Sequence, residues 1–78
     1  MTWRERAQDL HRRIAKSHAP DNIKFAAWDA QQCFVKAQEM RRQYHRAAVK
    51  EEGTLREAAR LHRQGAALFS IVTAWTRQ

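Results

Sequence analysis

Seventy-eight residues suffice for one domain and bury a comparatively small fraction of their surface. Hydrophobic residues make up 44% and charged residues 29% of the chain, with two glycines and one proline, a balance that suits a packed helical protein better than a disordered tail and favours long helices. Fifteen Lys and Arg against eight Asp and Glu leave a formal charge of +7, so the long-range field draws polyanions, nucleic acid first among them.

The chain opens on Thr2-Trp3-Arg4-Glu5, an S/T-x-x-E capping box that starts a helix. Trp3, Ala7, Leu10, Ile14 and His18 then recur at spacings of three and four, which predicts one apolar face on a first helix over about residues 3–18. Pro20 ends that run, and with Asp21 beside it also suits the first turn of a new helix.

No breaker follows until Gly53, so the second helix is expected over about residues 20–52, the longest of the three, at roughly 45–50 Å. Its seam gathers Ile23, Ala26, Ala27, Ala30, Cys33, Phe34, Ala37, Met40, Tyr44 and Ala48. Gly53 reads as the left-handed residue behind a helix, and Thr54-Leu55-Arg56-Glu57 reads as a second capping box. A third helix is then expected over about residues 55–76, with Ala58, Leu61, Gly65, Leu68, Phe69, Val72 and Trp75 on one face. The prediction is therefore an all-α single domain spanning residues 1–78, in which helices 2 and 3 form a long antiparallel hairpin and a shorter N-terminal helix packs at one end.

Two features remain on the outer faces. Phe25, Trp28 and Val35 project away from the main seam, which makes them a candidate interaction patch for a homodimer unless the first helix covers them. Arg41, Arg42, Arg46 and Lys50 on helix 2 and Arg56, Arg60 and Arg63 on helix 3 gather at the hairpin end, where planar guanidinium groups suit phosphate. The bland alternative is a solvated face partly neutralised by Glu39, Glu51, Glu52 and Glu57.

Catalytic and metal chemistry find little footing. Cys33 lies in an apolar seam, where cysteine acts as a small hydrophobe, and Ser17 and Ser70 have no glycine-rich surroundings. The four histidines and one cysteine lack metal-ligand spacing, and no phosphate-binding glycine loop occurs, so no cofactor is expected. A lone cysteine, no secretory signal and no apolar run of about 20 residues give the expectation of a cytoplasmic protein with no membrane partner. The sequence thus points to a small basic non-enzymatic accessory protein, dimeric, that binds nucleic acid mainly through phosphates. The alternative is a helical adaptor for an acidic or helical protein.

Overall fold

The computed structural model describes all 78 residues and contains three helices, α1 (Trp3–Ala15), α2 (Asp21–Arg46) and α3 (Glu52–Thr76), and no strand. α1 begins as expected: the Glu5 amide donates to Thr2 Oγ1 at 3.2 Å and the Thr2 amide to Glu5 Oε1 at 3.4 Å. It stops three residues before the expected end. Ser17 Oγ donates to the Ile14 carbonyl at 2.7 Å and accepts from the Ala19 amide at 3.2 Å, offering the backbone a turn in place of another helical step. His18 therefore leaves the helix and is exposed, while Ala7, Leu10 and Ile14 form the buried face.

Pro20 caps α2 from an extended backbone, and its carbonyl accepts from the Ile23 and Lys24 amides at 3.0 and 3.1 Å. α2 ends at Arg46, six residues short of the expectation, and the link to α3 is 47–51 instead of a turn at Gly53. Lys50 explains the early stop. Its Nζ reaches back to the carbonyls of Tyr44 and His45, both at 3.1 Å, and of Ala47 at 3.3 Å, satisfying groups that a helix C-terminus leaves orphaned. Ala47, Ala48 and Val49 are exposed, so there is no burial to favour continuing the helix.

Gly53 consequently sits in the first turn of α3 with no left-handed backbone, and Glu51 occupies the cap position. Thr54 lies inside the helix, its amide bonded to the Glu51 carbonyl at 3.1 Å, and Glu57 turns to Arg60. The second capping box is therefore not used. With α2 at 26 residues, the hairpin is about 39 Å long.

α2 and α3 run antiparallel along their full seam. Alanines dominate it: Ala27, Ala30 and Ala37 on α2 and Ala58 on α3 are buried, with Cys33, Phe34, Leu61, Gly65 and Val72. Small side chains bring the helices close, and at Gly65 a Cβ would stand 3.1 Å from Cys33 Cβ and 3.2 Å from two ring carbons of Phe34. α1 lies antiparallel to α2, from Arg4 beside Gln38 to His11 beside Trp28. Its Leu10 and Ile14 join Ala19, Ile23, Ala27 and Val72 in the hydrophobic core. Because α1 is half as long as its partners, the molecule has a three-helix half and a bare two-helix half. The extents, 47 × 19 × 16 Å, and a radius of gyration of 14.0 Å record that shape, against about 11–12 Å for a compact chain of this length.

Candidate nucleic-acid interface

Between residues 39 and 63 stand seven cations, Arg41, Arg42, Arg46, Lys50, Arg56, Arg60 and Arg63, against four carboxylates. They are not equivalent. Lys50 is committed to the α2 C-terminus and stands 5.3 Å from the centroid of the Tyr44 ring. Arg56 meets Glu52 at 3.5 Å, with both side chains over 80% exposed. Arg60 grips Glu57 with two nitrogens, its Nε at 2.9 Å, and contacts Gln64. That hydrogen bond holds the Glu57 carboxyl below its ordinary range and the Arg60 guanidinium above its own.

The only other ion pair, Arg13 with Asp9 at 3.1 Å, is on α1. Arg41, Arg42, Arg46 and Arg63 have no carboxylate within salt-bridge reach. Of the seven, these four are the guanidinium groups available for an outside anion.

The seven also do not share one stripe. Residues two apart on a helix differ by about 200°, so Arg60 and His62 look to opposite sides of α3. His62 faces α1, where its ring meets Trp3 at 6.0 Å and Phe34 at 5.1 Å. Arg41 points to the same corner and Arg60 to the other side, where its charge reaches the Cys33 thiol. Burial, then Asp29, pushes that thiol above its ordinary range, so Cys33 remains a buried, protonated side chain.

Arg41 lies with residues that the sequence pattern does not connect. The capping residue Thr2, Trp3 and Arg4 from α1, Phe34, Gln38 and Arg41 from α2 and His62 from α3 line a cleft of about 270 Å³. Arg4 Nη1 donates to Gln38 Oε1 at 3.0 Å, fixing one wall. Trp3 stacks on Phe34 at 5.6 Å and 23°, meets Phe69 edge-on at 5.6 Å, and carries the Arg6 guanidinium 5.3 Å from its centroid. Burial in this cluster, and secondarily Arg41, pushes His62 below its ordinary titration range. The basic end of the hairpin thereby continues onto α1, which with the turn after it carries five cations against two carboxylates.

The apolar patch is split. Trp28 meets His11, ring centroids 5.4 Å apart, yet stays 45% exposed, Val35 is half-buried, and Phe25 is 66% exposed. The pairing of Gly65 with Cys33 sets an antiparallel register that brings Phe25 to the level of Ile71, 54% exposed on α3. No helix is long and apolar enough to cross a membrane, and no three His, Cys, Asp or Glu side chains come together. Comparison with protein-family models, with curated proteins and with solved structures finds no match.

Proposed function

We propose that the protein is a non-enzymatic accessory factor that binds nucleic acid chiefly through phosphate contacts at the α1-side face of the hairpin end. The carrying observation is the sorting of charge: Arg41, Arg42, Arg46 and Arg63 lack acidic partners, while two of the four local carboxylates are occupied by Arg56 and Arg60. Arginine forks presented from two adjacent helices suit a phosphate backbone. No short recognition helix is present, so base-specific reading is not part of the proposal.

Titrations over several salt concentrations test it. Affinity for duplex DNA should fall by roughly 0.9 log units per log unit of salt for each phosphate contact, or about 0.7 on a single strand. Combined reversal of Arg42, Arg46 and Arg63 to glutamate should lower affinity and flatten the salt slope without loss of helix content. The control reverses Arg12, Arg13 and Lys16, at the far end of α1. Equal losses from both sets would mean that net charge alone acts, and absence of wild-type binding at low salt would reject the proposal.

A second reading draws on Phe25 and Ile71, two large apolar side chains left open at one level of the hairpin. In it the protein associates through that level with a second copy of itself, and F25D together with I71D should reduce the sedimenting mass of the folded protein. A wild type already monomeric at high concentration rejects this reading.

A further inference from the structure

The cleft between the first turn of α1 and the middle of the hairpin is the one concavity of the molecule lined by two cations. Its two cations, Arg4 and Arg41, are both free of ion pairs, and no carboxylate lines it. Glu5, the acid in the first turn of α1, is held at Thr2. Arg13, the cation in the largest cavity, is by contrast paired with Asp9, and the other walls of that cavity are mostly apolar or hydroxyl-bearing.

Arg4 spends one nitrogen on Gln38 and keeps the rest of its five N–H donors. Gln38 has its amide nitrogen to offer as a further donor, and His62 closes the α3 side. At about 270 Å³ the space falls just below the range of about 300–1,000 Å³ usual for drug-sized ligands. A space of that size suits a phosphoryl group with the sugar that bears it. Two uncompensated guanidinium groups match the charge of a phosphate monoester, about −1.5 to −2 near neutral pH, better than the single charge of a backbone diester.

We propose that the cleft formed by Arg4, Gln38, Arg41 and His62 is a subsite for a phosphate monoester, supplied by the phosphorylated end of a nucleic-acid strand or by a free nucleotide. In its strand form the proposal rests on the nucleic-acid reading above and adds to it a preference for ends. Phosphates along the strand are met by Arg42, Arg46 and Arg63, and the terminal phosphate enters the cleft. Trp3 and Phe34 form the apolar wall of the cleft.

The test uses one short single-stranded oligonucleotide in three forms, 5′-phosphorylated, 3′-phosphorylated and with both ends hydroxyl, together with adenosine monophosphate. At least one phosphorylated form should bind about tenfold more tightly than the hydroxyl form, the size of effect expected of one charge-assisted contact pair. R4Q, at a residue outside the strand-binding set, should remove part of that difference with the hydroxyl strand unchanged. R4Q combined with R41Q should remove most of it while weakening the hydroxyl strand only by the one contact that Arg41 contributes. Reversal of Arg42, Arg46 and Arg63 should weaken all three strands and keep the ratio between them.

Equal affinity for the three forms overturns the strand-end form of the subsite while the broader nucleic-acid reading stands. If no strand binds, that reading fails; adenosine monophosphate shifting the Trp3 and His62 resonances, with the shift lost in the double variant, then assigns the cleft to free nucleotides. Resonances unmoved by the mononucleotide, with no preference for phosphorylated ends, overturn the subsite altogether. The same spectra report whether the double variant is folded, so a collapsed fold is not mistaken for a lost site.

Discussion

The two glycines separate two halves of the molecule with different rules. Gly65 lies in the half that α1 covers, where the Phe34 ring packs against Trp3 and His62 and approaches the glycine to within the space of a methyl group. Gly53 lies in the bare half, exposed, with nothing within 4 Å of the position a Cβ would take. Both have ordinary helical backbones, so neither is required for a left-handed turn. In one half packing decides which residue is tolerated, and in the other the intrinsic preference of the helix decides.

The largest expected effect sharpens that contrast. Phe34 is buried at the meeting point of α1, α2 and α3, so F34A should destabilise the protein by about 3–5 kcal/mol in denaturant unfolding. L55A, on the exposed turn of the bare half, should change stability by no more than about 0.5 kcal/mol. Comparable losses from both would erase the distinction between the halves.

The glycines themselves come next. G65A gains up to about 1 kcal/mol in helix preference but overpacks against Cys33 and Phe34, an effect of about 1–3 kcal/mol. Because the Phe34 ring is packed against both Trp3 and His62, which limits how far it can give, the net outcome should be destabilising. G53A has no such opposing contact and should stabilise by about 0.4–1 kcal/mol. The check is a pair of chemical denaturation curves, and shifts of the same sign would break the comparison.

The smallest effect is in the pH dependence of the covered half. Burial lowers the His62 titration in the folded chain below its ordinary value of 6.5, so the unfolded chain takes up the proton first. The stability contributed by neutral His62 is therefore complete above about pH 6.5 and is lost as pH falls from there toward the lower folded value. The melting temperature should drop over that window, and H62Q should show a smaller drop. An unchanged drop in the variant would assign the effect to other groups.

Local chemistry determined most of the architecture. Thr2 and Glu5 start α1 from within one turn, Pro20 removes a donor and fixes its own backbone angle, and the apolar periods of α2 and α3 need only a reversal between them to form a hairpin. The place of that reversal was not local. Gly53 and the Thr54 to Glu57 segment carry every short-range mark of a helix boundary, yet the break lies at 47–51, where Lys50 reaches back to carbonyls up to six residues away and the seam has nothing left to bury.

The same distinction applies to the candidate site. Composition and spacing were enough to find the arginines of the hairpin end, because charge is legible residue by residue. Which of them are free depended on rotamers that give Glu52 to Arg56 and Glu57 to Arg60. The cleft joins Arg4, Gln38, Arg41 and His62 from three helices, and no period along the chain relates them. Only the register of α1 against the hairpin, set by Trp3 on Phe34 and Leu10 near Val72, brings them to one place. A helix repeat specifies which side chains share a face, while the meeting of faces depends on how far one helix slides along another, and that is fixed by packing between residues distant in sequence.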